Sequence, residues 1–185
     1  MMRILCFGDS NTYGYDPRSF FGERYPAGDR WVDLLAKHTG CEVINAGVNG
    51  RMIPSGAQGL RLLREYGDVD IVLVMLGTND LLQGASAADA ASRMDAFLAQ
   101  AVPCFKGILL VVPPPMKRGA WVPTEALVQE SVRLAQAYQQ LARERSIPFI
   151  DTHSWNIGLA FDGVHFTETG HHTFASRLIE SLESL

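Results

Sequence analysis

Among its 185 residues the chain has no apolar run near the roughly 20 residues that a membrane-spanning helix needs. It has no cluster of lysine or arginine either, and its formal charge is -4, so the basic patch that holds nucleic acid or an anionic membrane is missing. Cysteines number three, at positions 6, 41 and 104, an odd and widely spaced set that suits small buried hydrophobes better than a disulfide or a metal cage. No G-x-G-x-x-G follows the first apolar run, which excludes the dinucleotide fingerprint, and no G-x-S-x-G elbow marks an α/β-hydrolase serine. Internal repeats, low-complexity tracts and linkers are absent as well, so residues 1–185 read as one domain. Met1-Met2-Arg3 leads directly into a short strand pattern rather than a signal-peptide core, and the expectation is a soluble, cytoplasmic protein.

Hydrophobic residues make up 47% of the chain, enough for a domain of this size to bury about 70% of its unfolded surface. Five short runs rich in Ile, Val, Leu and Phe read as buried parallel strands: Arg3–Phe7, Cys41–Asn45, Ile71–Leu76, Ile108–Val112 and Phe149–Asp151. Helical patterns alternate with them. Asp29 is placed to cap a helix running to Thr39, with Trp31, Leu34, Leu35 and His38 at three- and four-residue steps before Gly40. Ser55, Ser86, a segment from about Thr124 to Arg145, and Thr167 open the remaining helices. Right-handed crossovers then predict an α/β fold, a three-layer α/β/α sandwich around a five-stranded parallel sheet, with ligands bound beyond the carboxyl ends of the strands.

Those strand ends carry the chemistry. Gly8-Asp9-Ser10-Asn11 follows strand one, Gly77-Thr78-Asn79-Asp80 follows strand three, and Asp162-Gly163-Val164-His165 lies beyond strand five. Each segment alone is an ordinary turn. Together they offer a serine, a histidine with an acid three residues before it, and an uncharged amide donor, which is the inventory of acyl transfer through serine. Asp9 and Asp80, beside these residues, read as structural acids bonding backbone amides. Tyr13, Tyr15, Met52, Trp121 and Trp155 suit an acyl pocket or partial core packing equally, and Pro113-Pro114-Pro115 suits a stiff pocket wall or a loop brace. His171-His172 reads as a solvated helix face, and His38 and His153 receive no function.

On these residues the chain resembles the SGNH (GDSL-type) hydrolase family, whose four blocks centre on Ser, Gly, Asn and His. Ser10 matches the first block, Asn45-Ala46-Gly47-Val48-Asn49-Gly50 the second, Gly77-Thr78-Asn79-Asp80 the third and Asp162-Gly163-Val164-His165 the last, in family order and across almost the whole chain. Arg3 to Tyr15, Arg30-Trp31 and Asp162 to Thr167 further resemble its small bacterial arylesterase and acyltransferase branch. The resemblance implies the family's flavodoxin-like fold and a triad of Ser10, His165 and Asp162. It also implies an oxyanion hole made by the Ser10 and Gly50 backbone N–H groups and the Asn79 amide, with Gly47 left as a turn residue. Asn11 stands where the family's name implies leucine, a departure that bears on substrate contacts rather than on the triad.

The expected activity is a serine esterase for short-chain or aryl esters, including acetyl groups on sugars or small alcohols, needing no cofactor and no metal. Its partner is a small ester, with no nucleic acid or membrane, and homo-oligomer formation is left open. Thioesterase and lysophospholipase activities also occur with these blocks. A metal-dependent phosphoesterase is the competing reading of Asp9, Asn79, His165 and His153, although the tight Asp-x-His and His-x-His pairs expected of it are missing. A silent binding module is disfavoured, because no proposed catalytic position is substituted.

Overall fold

Residues 1–19 and 21–184 are described by a computed structural model of the protein. The apolar runs form β1 (Arg3–Gly8), β2 (Glu42–Gly47), β3 (Ile71–Met75), β4 (Ile108–Val111) and β5 (Phe149–Ile150). All pairings are parallel, in the order β2-β1-β3-β4-β5. Successive side chains of β1 alternate between two cores: Leu5 and Phe7 enter one, Ile4 and Cys6 the other. The first core is covered by α3 (Gly56–Arg64), α5 (Ala87–Ala101) and α6 (Glu125–Glu144), the second by α2 (Trp31–Thr39) and α7 (Glu168–Glu183). This is the expected three-layer sandwich, and the chain reverses its direction of travel across the sheet between β1 and β3, where such sheets open a crevice.

Most helix starts follow from their caps. Ser55 accepts from the Gln58 N–H, Ser86 and Asp89 form a capping box, and Thr124 and Thr167 accept from Leu127 and Gly170. The Asp29 cap does not form. That residue lies in a short 3₁₀ turn, α2 begins at Trp31, and the Asp29 carboxylate instead meets the His172 ring at 2.9 Å. Of the cysteines only Cys6 is buried, whereas Cys104 is exposed.

Two short helices, α1 (Ser10–Tyr13) and α4 (Thr78–Leu82), replace what the sequence suggests are plain loops after β1 and β3. Each has too few apolar residues to show a helical period, and each is held from outside. Asp9 caps α1 by accepting from the Asn11 N–H. The fully buried Asp80 of α4 accepts from the Ile53 N–H at 3.0 Å and from Arg93 at 2.8 Å, fastening the segment after β2 to α4.

His171 departs from the expected solvated face. His172 is exposed, but His171 is fully buried between the Tyr25 and Phe166 rings, at 5.3 and 5.2 Å, with no hydrogen-bond partner on either ring nitrogen. Burial, with smaller contributions from His172 and Arg30, pushes its imidazole down to about 3. A histidine depressed in the folded state contributes stability above its unfolded value of ~6.5, and that contribution is lost as pH falls towards the folded value. Between pH 7 and 3 the wild type should therefore lose about 4 to 5 kcal/mol more than His171→Phe. Urea melts of both proteins at a series of pH values check this; parallel losses would show that His171 is not the group taking up the proton.

Candidate active site

β1 ends at Gly8, the chain turns at Asp9, and Ser10 becomes the first residue of α1. At that position its N–H has no carbonyl four residues back within the helix to bond. The last strand feeds a long irregular segment that returns His165 to the same edge. There His165 Nε2 lies 3.0 Å from Ser10 Oγ, and His165 Nδ1 lies 2.8 Å from Asp162 Oδ2. The other Asp162 oxygen accepts from the Val164 and His165 N–H groups at 2.8 and 2.9 Å. Burial alone would raise the Asp162 carboxyl, but the bonds from the His165 ring and these two amides outweigh it, holding the group below the usual carboxylate range. The acid is therefore ionised wherever the protein is folded at ordinary pH.

A cavity of about 220 Å³ opens over this chain of bonds, lined by Ser10, Tyr15, Asn49, Gly50, Asn79, Trp121 and His165. All five residues named from sequence are thus together: four line the cavity, and Asp162 stands behind His165. Asn79 donates one amide hydrogen to the Arg51 carbonyl at 3.1 Å, which orients the side chain and leaves its second hydrogen for another acceptor. Gly50 has φ +73, a conformation that a side chain would strain, with open space where a Cβ would stand. Gly47 is not a turn residue. It ends β2, and a Cβ there would come within 2.1 Å of the Tyr13 nitrogen, so its small size lets α1 lie directly on β2.

Arg51 fixes the loop that carries Gly50. Its guanidinium lies 4.2 Å from the Phe7 ring centre and bonds the Gly8 carbonyl at 3.0 Å and the Ala46 carbonyl. Asp9 is 2% exposed, and burial pushes its carboxyl up to about 6 against the opposing bond from the Asn11 N–H. Both Asp9 and Asp80 thus bond backbone amides, as their sequence context suggests.

Two of the five candidate pocket residues reach the cavity. The Tyr15 and Trp121 rings stand 4.7 and 5.0 Å from the His165 ring. Trp121 is held there because the Lys117, Ala120 and Trp121 N–H groups bond the Gly163, Phe161 and Asp162 carbonyls, joining its turn to the histidine loop. Trp155 packs instead on Phe174 at 5.3 Å, the Tyr13 ring carries the Arg24 guanidinium at 4.4 Å, and Met52 is not among the lining residues. The proline run is not a pocket wall: Pro113 and Pro114 are buried and lead into the Trp121 turn. Asn49 lines the cavity unforeseen, since nothing marks it beyond its place beside Gly50. Asn11 is buried away from the cavity rather than facing substrate. His153 is exposed, and among the described residues no three His, Cys, Asp or Glu side chains are grouped as a metal ion would require.

The profile of the GDSL-like lipase/acylhydrolase family matches residues 6–173. Among solved structures, the native aryl esterase of M. smegmatis is similar over the full length of both chains, with 29% identity and a TM-score of 0.87. A carbohydrate acetylesterase family member from Sinorhizobium meliloti also matches over both full lengths, with 26% identity and a TM-score of 0.84. A lipolytic G-D-S-L family member from Veillonella parvula, at 22% identity and a TM-score of 0.79 over both full chains, shares the fold. No curated protein matches the chain. No helix among the described residues is long and apolar enough to cross a membrane.

Proposed function

Since the chain belongs to the GDSL-like lipase/acylhydrolase family and is a carboxylic ester hydrolase, we propose that it is a serine esterase for short-chain acyl or aryl esters, acetyl esters of small alcohols and sugars included. The observation that carries this reading is the Asp162–His165–Ser10 chain, with bonds of 2.8 and 3.0 Å, opening on a cavity shared with Gly50 and Asn79.

Each step has a residue. His165 Nε2 takes the Ser10 proton as Oγ attacks the ester carbonyl carbon, and Asp162 holds the proton on Nδ1 and stabilises the imidazolium. Negative charge gathers on the former carbonyl oxygen, which the Ser10 and Gly50 N–H groups and the Asn79 amide receive without binding the neutral ester equally well. The bond to the alcohol oxygen breaks as His165 returns the proton to it. Water then repeats the attack on the acyl-serine, releasing the carboxylic acid and restoring Ser10. Because the leaving alcohol must meet His165 Nε2, its place is beside Tyr15 and Trp121, whose rings favour an aryl or sugar face.

The cavity volume of about 220 Å³ falls below the ~300 to 1,000 Å³ usual for a pocket that encloses a drug-sized ligand. In a chain-length series of aryl esters, acetyl to butyryl should give the highest kcat/KM, falling at octanoyl and beyond; a panel of acetylated sugars then tests the alcohol side. Highest efficiency on long-chain lipid esters would overturn the short-chain reading.

Asn79→Ala removes a neutral donor without adding charge. Turnover should fall about 10²- to 10³-fold with KM little changed, a loss of ~2.7 to 4 kcal/mol of transition-state stabilisation. Melting temperature measured on the same preparation separates this from a loop-bracing role, which would lower stability and leave turnover per folded molecule intact.

A further inference from the structure

The Ser10–His165 contact joins residues 155 apart in sequence, and something must hold the two loops in register. Among the described residues, the hydrogen bonds crossing from the His165 loop to α1 are that contact and two made by one side chain, Asn11. Asn11 Nδ2 donates to the Val164 carbonyl at 3.1 Å, and its Oδ1 accepts from the Phe166 N–H at 2.9 Å. A single planar amide thus takes hold of the peptide groups on both sides of His165. Reversing the amide would set oxygen against oxygen and N–H against N–H, so the two partners fix its orientation.

The anchor itself is fixed. Asn11 is 6% exposed, its N–H is held by Asp9 at 3.0 Å, and its carbonyl accepts from the Trp31 indole of α2 at 2.9 Å. Trp31 in turn packs on Phe174 of α7 at 5.1 Å. The leucine implied by the family's name would fill this space and bond neither peptide group.

We propose that Asn11 is a positioning residue for ester hydrolysis, holding the His165 imidazole at hydrogen-bond distance from Ser10 Oγ through Val164 and Phe166. This rests on the reading of Ser10 and His165 given above. The proton is transferred over a single 3.0 Å contact, and displacements of about 1 Å in such a contact can cost ~10²-fold in rate. Packing and positioning differ in what restores them: an aliphatic side chain of similar volume restores packing, and only the two hydrogen bonds restore position.

The test compares Asn11→Ala, Asn11→Leu and Asn11→Asp with wild type for kcat, KM, melting temperature and the rate at which an organophosphonate traps Ser10. Asn11→Leu should recover melting temperature relative to Asn11→Ala, yet both should lose about 10²-fold in kcat with KM nearly constant, and phosphonate trapping should slow by the same factor. Asn11→Asp keeps the acceptor for the Phe166 N–H but sets a carboxylate oxygen against the Val164 carbonyl, and should cost at least about tenfold in turnover. In a His165→Ala background Asn11→Leu should have little further effect, because residues acting through one another are not additive. Wild-type turnover in folded Asn11→Leu or Asn11→Asp, or an equal loss without His165, would overturn the proposal. Ser10→Ala run in parallel keeps the two readings apart: activity surviving there overturns the serine mechanism itself, whatever Asn11 does.

Discussion

Ser10→Ala should lose about 10⁶-fold in turnover, the scale on which removal of a triad serine acts. Its stability should change by only about 1 kcal/mol, since the hydroxyl makes one hydrogen bond at the floor of an open cavity. Mass spectrometry after organophosphonate treatment should place the adduct on the peptide containing Ser10 and find none in the variant. Two other serines provide the contrast. Ser55 is an exposed helix cap, and Ser131 Oγ is engaged by the Met116 N–H at 2.9 Å and the Val128 carbonyl at 2.6 Å, so neither has a base beside it. An adduct on either, with activity surviving in Ser10→Ala, would sink the mechanism.

Asp162→Asn is expected to cost about 10⁴-fold while preserving the loop. The amide oxygen of asparagine can still accept from Val164 and His165, so the turn keeps its two backbone bonds. What changes is the group facing Nδ1. An NH₂ there makes Nδ1 an acceptor and moves the imidazole proton to Nε2, where the ring can no longer take the proton of Ser10. Turnover should therefore collapse with KM nearly constant. The wild-type carboxylate, held below its usual range, also contributes stability above its unfolded value of ~3.9 that disappears as pH falls below it, and the variant should lack this contribution. Kinetics and urea melts across pH 2 to 7 (~5 pH units) read both effects; near-normal turnover would remove Asp162 from the proposed triad.

The parts of this molecule legible in sequence are those written in local pattern. Five apolar runs give the strands, and Ser55, Ser86, Thr124 and Thr167 mark helix starts because a capping side chain acts within its own turn. Ser10, Asn79, Asp162 and His165 lie beyond strand ends that a parallel sheet brings to one edge, while Gly50 and the oxyanion roles come only with the family resemblance. Long-range contact was not legible. Whether Trp121 or Trp155 faces the cavity depends on a turn joined to a loop some forty residues further on, and no periodicity reports that. The burial of His171 depends likewise on Tyr25, far away in the chain, while its polar neighbour His172 suggests solvent. Helices α1 and α4 leave no mark in the pattern because each is little more than one turn, far shorter than the window of about 11 to 18 residues over which a helical period shows.

If Ser10 is the nucleophile proposed above, the 155-residue span between it and His165 makes its reactivity a readout of the assembled chain. β1, which leads into Ser10, lies between β2 and β3, whereas the proposed base is carried by the segment that precedes α7. Contacts of such separation must overcome loop-closure entropy before they contribute, and they tend to set the slow end of folding. A chain with its sheet assembled and α7 undocked would show nearly full secondary structure and an unactivated serine. Trapping of Ser10 by a phosphonate should therefore require the first and last loops of the chain to be in contact, a condition that the far-ultraviolet signal of helices and strands does not impose.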